Sequence, residues 1–263
     1  MSRAQDFPYL SAPFTALAHR GGAEWEPNRG KENTLHAFRS AVALGYQYIE
    51  TDVQATHDGE LVCFHDDTLD RLAEVAGRVC DYTASELREF RIAGSEPIPF
   101  FDAVVETFPT TRFNVDMKSD QAVEPLLKLI RDHHLADRIL VDSFSQSRLK
   151  RFRKASQGRI ATAMGPLEVA WTALVPGLST TFGVTGPVAQ VPIRYPIGPL
   201  QVPVLTEATI ARVHKLGKVV HVWTIDDPAE MNRLIDLGVD GIVTDRPDLL
   251  KEVLIERQLW ADS

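Results

Sequence analysis

The sequence predicts a single (β/α)8 barrel, and three observations carry that expectation. Short β-branched runs alternate with longer stretches of helical period, the mark of βα units around a parallel sheet. Eight such runs follow one another along the chain. The length of 263 residues is also what one such barrel uses, about 250.

The strands are expected at Thr15–Arg20, Tyr48–Ala55, Arg112–Lys118, Arg138–Ser143, Arg159–Ala163, Val188–Ile193, Val219–Ile225 and Gly241–Thr244. Helices are expected between them at Glu32–Leu44, Gln121–His134, Ser147–Gln157, Thr206–Leu216, Pro228–Leu237 and Pro247–Glu256. Pro228 and Pro247 follow Asp227 and Arg246 and suit the first helical position, where an N–H would go unbonded anyway. Gly45, Gly217 and Gly238 stand where a glycine stops a helix before the next strand.

Two segments interrupt the alternation. Residues from about 67 to 98 hold helical stretches such as Thr83–Phe90 without a crossover. They read as a small insertion after strand two, within one domain spanning residues 1–263. Residues 176–203 contain Pro176, Pro187, Pro192, Pro196, Pro199 and Pro203. That density breaks a helix or a central strand, so most of the segment is expected to be ordered loop near strand six.

Hydrophobic residues make up 44% and charged residues 24%, the usage of a globular chain with a sizeable core. The net charge of −8 argues against broad electrostatic binding to nucleic acid or an anionic membrane, but allows a local basic pocket. Cys63 and Cys80 are too few for a disulfide framework and belong to no metal pattern. The opening MSRAQDFPYLSAPF holds no signal-peptide run, and no stretch of about 18 apolar residues occurs. The expectation is a cytoplasmic protein with no stable membrane insertion and no nucleic-acid partner.

Polar residues cluster at the expected strand ends, where a barrel builds its active site. Strand one ends Ala18-His19-Arg20-Gly21-Gly22, in which His19 is either a site residue or a packing histidine. In strand two, Glu50 and Asp52 share one face. Two carboxylates there repel unless a cation or proton separates them, which favours a metal site over a salt-bridged rim. The turn signal Asp58-Gly59 sends the chain back past that strand end, bringing His65 close and leaving His57 in the turn. Asp116 and Lys118 share a face of strand three, where a buried ion pair competes with a site role. Trp223 on strand seven is core or pocket wall. His36, His133, His134 and His214 read as surface or structural.

Three hard oxygen donors suit Mg²⁺, Ca²⁺ or Mn²⁺, two histidines suit acid/base work, and Arg20 with Lys118 suits an anion. The combination points to phosphoryl chemistry on a small anionic substrate. There is no Walker A sequence, no dinucleotide glycine fingerprint and no G-x-S-x-G elbow.

These residues resemble the glycerophosphodiester phosphodiesterase family. The matching stretches are HRG at 19–21, ENT at 32–34, ETDV at 50–53, THDG at 56–59 and HD at 65–66 with Leu69 and Arg71. VDMK at 115–118, VWT at 222–224 and GVDGIVTDRP at 238–247 follow in family order. The resemblance implies a TIM barrel with a small insertion after strand two. It implies metal-dependent hydrolysis of a small-molecule glycerophosphodiester to glycerol 3-phosphate and an alcohol. By position it makes His19 and His65 the general acid/base pair. Glu50, Asp52 and Asp116 become ligands of one divalent cation, Mg²⁺ or Ca²⁺, with Mn²⁺ as a third candidate. Arg20 and Lys118 become phosphate contacts, Trp223 a wall on the glycerol side, and Glu32 a support for the metal or for Arg20.

Two features depart from the family pattern. Asp116 stands where the family usually has Glu; an Asp at this position resembles the related sphingomyelinase D-type enzymes. Residues 22–31 form a longer loop, with Trp25 and residues 27–30 expected near the pocket mouth. The alternative reading is phospholipase D-like activity on lysophospholipids or sphingomyelin, with Val188, Val191, Ile193 and Tyr195 as an apolar mouth. A binding-only barrel fits less well with both histidines and all three carboxylates present. A Schiff-base barrel finds only Lys118, beside an acidic cluster.

Overall fold

The computed structural model describes residues 2–175, 183–198 and 200–260. Its strands in chain order are β1 (Thr15–His19), β2 (Tyr48–Ala55), β3 (Leu61–Cys63), β4 (Arg91–Ile92), β5 (Glu96–Pro97), β6 (Arg112–Met117) and β7 (Ile139–Asp142). They continue with β8 (Ala161–Thr162), β9 (Val188–Val191), β10 (Arg194–Ile197), β11 (Leu200–Pro203), β12 (Val219–Val222) and β13 (Gly241–Thr244). The eight expected strands are β1, β2, β6, β7, β8, β9, β12 and β13. They pair in parallel in the order β8-β7-β6-β2-β1-β13-β12-β9. A parallel bridge between Ala163 and Val188 brings the two ends together, so the barrel is nearly closed.

Why these residues make a barrel is clearest in β2, which is buried along its whole length. Ile49 and Val53 pack outward with Phe38, Phe101 and Phe113, in the layer between strands and helices. Tyr48, Glu50, Asp52 and Gln54 alternate with them and face the barrel interior. At the N-terminal end of the barrel Tyr9 packs edge-on against Tyr48, and the Tyr48 hydroxyl donates to the Tyr9 carbonyl at 3.0 Å. That end is thus filled by side chains and the polar residues lie toward the other end.

The helices are α1 (Leu35–Ala43), α2 (Asp70–Ala73), α3 (Ala84–Leu87), α4 (Phe101–Thr107), α5 (Val123–Asp132), α6 (Gln146–Ala155), α7 (Pro166–Leu174), α8 (Glu207–Lys215), α9 (Pro228–Leu237) and α10 (Pro247–Glu256). The last two open on the expected prolines, and Asp227 caps α9 by accepting from the Glu230 N–H. The first helix starts at Leu35, not at Glu32. Thr34 is its N-cap, accepting from Ala37 N, and Asn33 takes a left-handed φ of 58° that no helix allows.

Two helices, α4 and α7, are not among the elements expected from the sequence. Residues 67–98 carry α2, α3 and the β4–β5 hairpin, with their own apolar cluster around Leu69, Leu87 and Ile92. The proline-rich stretch contributes β9 and then an antiparallel hairpin, β10–β11, where loop was expected. Pro196 and Pro203 are tolerated because a two-stranded ribbon leaves N–H positions that need no partner. Pro176 and Pro199 lie outside the described residues. No helix among the described residues is long and apolar enough to cross a membrane.

Candidate active site

The registers of four parallel strands stack the acidic residues in rows. His19 pairs with Glu50, and Glu50 with Asn114. One row further along, Asp52 pairs with Asp116 and Asp116 with Asp142. Paired residues of parallel strands face the same side, so all of these reach the same interior. They line a pocket of about 190 Å³ with Arg20, His65, Lys118, Phe144, Gln190 and Trp223. Thus His19, Arg20, Glu50, Asp52, His65, Asp116, Lys118 and Trp223 are brought together. Glu32 stands behind Arg20. Trp25 and residues 27–30 are not among the pocket's lining; Asn28 instead donates from Nδ2 to the Gly21 carbonyl at 2.9 Å.

The hairpin that carries His65 forms as the turn signal implies. β3 pairs antiparallel with β2, Val53 opposite Cys63, and the Phe64 N–H donates to the Asp52 carbonyl at 3.1 Å. His65 Nδ1 lies 2.6 Å from Asp66 Oδ1, and Asp66 in turn accepts from Arg71. His19 is held in a similar way, with Nδ1 2.8 Å from Asp245 Oδ1 and Nε2 3.7 Å from Glu50 Oε2. Each imidazole therefore has one nitrogen tied to a carboxylate, which fixes ring orientation and leaves Nε2 for other partners.

The ENT stretch accounts for three jobs. Glu32 accepts from Arg20 at 2.9 Å and from Arg71 at 2.7 Å. Asn33 donates to Asp52 Oδ2 at 2.8 Å and accepts from Thr51 Oγ1 at 2.7 Å. Thr34 caps α1. Asn tolerates the left-handed conformation better than most residues, which suits it to this corner. Arg20, Gly21 and Gly22 also have positive φ. A Cβ on Gly21 would sit 2.7 Å from the Ala37 Cβ and 2.8 Å from its carbonyl carbon, so only glycine passes here.

The charges are closely interleaved. Lys118 Nζ is 2.9 Å from Asp52 Oδ1 and 2.6 Å from Asp116 Oδ2, so the ion pair considered from sequence does form. Arg20 Nε is 3.2 Å from Asp52 Oδ2. Burial works against the Asp52 charge, but Lys118 and Arg20 hold its carboxyl below the usual range. Burial, reinforced by the Asp52 charge, pushes Glu50 up to about 8. Burial also raises Asp116, against the pull of Lys118. Burial disfavours the His19 imidazolium, yet Glu50 and Asp245 lift it to about 8.

Among the described residues, no three His, Cys, Asp or Glu side chains stand ready-made around one metal position. The donor chemistry nevertheless fits a hard cation. Glu50, Asp52 and Asp116 are 6%, 1% and 6% exposed, and Asp116 Oδ1 is buried without any hydrogen-bond partner. Such an oxygen is costly to leave unpaired. The Lys118 ammonium occupies the gap between two of the three carboxylates.

Sequence reasoning missed Asp245, Asp66, Asn33, Asp142, Phe144 and Gln190 as site residues. Asp245 and Asp66 lie inside the quoted motifs, but nothing local marks them as partners of His19 and His65. Asp142 is half-buried beside Asp116, and burial followed by the Asp116 charge pushes it up to about 7. Its signal was a carboxylate closing a β-branched strand.

The family described as the glycerophosphoryl diester phosphodiesterase family matches residues 19–249. A Mycobacterium tuberculosis protein named "Probable glycerophosphodiester phosphodiesterase 2" is 35% identical over 248 residues, covering 93% of this chain and 92% of that protein. A "Glycerophosphodiester phosphodiesterase" of Caldanaerobacter subterraneus is 32% identical, covering 89% and 95%. The same fold occurs in an Oleispira antarctica phosphodiesterase solved with the product sn-glycerol-3-phosphate, with TM-score 0.77 and 22% identity over 94% of this chain and 99% of that one. The family match over most of the chain and the 35% identical relative, met on a barrel of this architecture, lead to one conclusion: the chain belongs to the glycerophosphoryl diester phosphodiesterase family.

Proposed function

We propose that the protein hydrolyses glycerophosphodiesters to glycerol 3-phosphate and an alcohol, with one divalent cation and a histidine acid/base pair. The observation that carries this reading is the convergence of His19 and His65, each with Nδ1 on a carboxylate, on one pocket that also holds Glu50, Asp52, Asp116, Arg20 and Lys118. The relatives named as glycerophosphodiester phosphodiesterases support it.

Glu50, Asp52 and Asp116 would hold the cation, Mg²⁺ or Ca²⁺ with Mn²⁺ as a third candidate. A cation bound there supplies Lewis acidity toward a phosphate oxygen and a template for the substrate. With those carboxylates holding a cation, Lys118 would turn from the Asp52–Asp116 gap toward the phosphate. Lys118 and Arg20 then stabilise charge that develops on the phosphoryl oxygens. One histidine takes the proton of the nucleophile, water or the glycerol 2-hydroxyl, and the other protonates the leaving alcohol through Nε2. Asp245 and Asp66 keep the two rings in the required tautomer. Glu32 bonds both Arg20 and Arg71, keeping the Arg20 guanidinium at the pocket edge. Trp223 walls the glycerol side. Two unpaired cysteines, Cys63 and Cys80, suit a reducing, cytoplasmic setting.

The test is release of glycerol 3-phosphate from glycerophosphocholine by metal-stripped protein with Mg²⁺, Ca²⁺ or Mn²⁺ restored. Cation-dependent release is expected. Release undiminished by chelation would remove the cation from the mechanism, and no release under any condition would remove the reaction.

A further inference from the structure

Arg71 stands in the matched motifs but has no part in the reaction above. It lies on α2, inside the insertion, and does not line the catalytic pocket. Its guanidinium nonetheless grips two carboxylates at once. Nε and Nη2 donate to Asp66 at 2.6 and 3.1 Å, and Nη1 and Nη2 donate to Glu32 at 3.1 and 2.7 Å. Asp66 holds His65 Nδ1 at 2.6 Å, and Glu32 accepts from Arg20 at 2.9 Å. An unbroken file of polar contacts therefore runs His65–Asp66–Arg71–Glu32–Arg20. Arg71 is the member of that file which the insertion supplies.

The insertion fixes where that guanidinium sits. Leu69 and Leu72, on either side of Arg71, are buried in the insertion's own apolar cluster, and the Leu72 carbonyl accepts from Ala93 N at 3.0 Å. A second charged contact crosses the same seam, with Lys31 Nζ 3.6 Å from Glu96 Oε1. The Arg71 side chain is 48% exposed, so an isolated ion pair there would add little stability. Four directed hydrogen bonds on two carboxylates fix orientation instead. Glu32 Oε1 is shared by Arg71 and Arg20. Without Arg71 the full Glu32 charge falls to Arg20 and draws it back from the phosphate side. Asp66 likewise loses the fork that aims it at His65.

Resting on the proposed reaction, we propose that Arg71 is a positioning residue and the insertion's contribution to turnover: its double fork ties the His65 side of the pocket to the Arg20 side, so that the acid/base group and the phosphate contact are aligned together. Arg71 acts through Asp66 and Glu32 and touches no reacting atom.

The experiment measures kcat and KM for glycerophosphocholine, melting temperature and calorimetric binding of glycerol 3-phosphate in Arg71→Ala, Arg71→Lys and Arg78→Ala. Arg78 pairs with Asp81 elsewhere on the insertion and serves as the control. For Arg71→Ala we expect kcat to fall on the order of 10²-fold, the cost of slightly misplaced reacting groups, with a smaller change in KM and a nearly unchanged melting temperature. Arg71→Lys should recover little, since one ammonium cannot fork onto two carboxylates. Guanidinium ion added to Arg71→Ala, far below denaturing concentration, should restore part of the loss. In a Glu32→Gln background Arg71→Ala should cost much less than it does alone, because both changes cut the same link. Full kcat in Arg71→Ala, or a loss matched by a fall in melting temperature, overturns the inference and leaves the reaction standing. Where the unsubstituted protein cleaves no diester, the reaction falls and two other readouts decide the coupling. Weaker glycerol 3-phosphate binding and shifted His65 ring resonances by NMR in Arg71→Ala, but not in Arg78→Ala, uphold it; unchanged binding and resonances overturn it.

Discussion

His19 Nδ1 and Asp245 Oδ1 lie 2.8 Å apart across the seam where β1 pairs with β13. The contact joins a residue near the start of the barrel to one just past its last strand. It makes the geometry of one histidine depend on barrel closure. Asp245→Asn keeps the shape but can stabilise the wrong tautomer. We expect kcat to fall on the order of 10²-fold with little change in melting temperature. In the metal-free protein, the His19 titration followed by NMR should move down from about 8, since a partner that favours the imidazolium is gone.

His19→Ala and His65→Ala should each lower turnover by about 10²–10⁴-fold, the usual span for a lost acid or base. Direct Mn²⁺ titration should show cation binding largely retained in both. Near-full activity in either variant would sink that residue's assignment.

Asp116 is one of two aspartates among the three carboxylates, and its Oδ1 has no hydrogen-bond partner. Asp116→Asn should lower activity at limiting cation by more than about tenfold, with recovery as the cation is raised. Unchanged cation affinity in a binding titration would take Asp116 out of the ligand set.

His221 is fully buried, its Nε2 has no partner, and burial pulls its pKa down to about 3 from 6.5. Between those values the unfolded chain binds a proton that the folded chain refuses. The stability His221 contributes is therefore present above pH 6.5 and lost as pH falls toward 3, at up to roughly 1.4 kcal/mol per pH unit. Denaturant unfolding of His221→Gln should show a shallower loss over that window than the unsubstituted protein.

Gly21→Ala tests the backbone corner. With φ at 87° and Ala37 at 2.7 Å, we expect a loss of roughly 2–4 kcal/mol in unfolding experiments, along with weakened activity, since the neighbouring Arg20 and His19 move.

Much of this was legible in the sequence, for identifiable reasons. Period-two and period-3.6 patterning is local, so all eight barrel strands and the helices opened by Pro228 and Pro247 could be read directly. Glu50, Asp52, Asp116 and His65 were legible because i, i+2 spacing and a tight turn fix which face a side chain takes. Asp245 was not, because its partner His19 is 226 residues away and only barrel closure brings them together. Asn33 was hidden inside an expected helix, where its left-handed backbone has no sequence mark beyond Asn itself. The β10–β11 hairpin was masked by its prolines, which forbid a central strand yet permit a two-stranded ribbon.

The placing of Lys118 between Asp52 and Asp116 has a consequence for how the protein matures. The acidic heart of the barrel comes with a tethered counterion, so folding does not need a divalent ion to offset Asp52 and Asp116. On the proposed reaction, loading would be an exchange, ammonium out and metal in, and it could be reversed without dismantling the barrel. The proposed ion would be an instrument the finished protein picks up, not a brick in its wall, and chelation should silence the protein while leaving it whole.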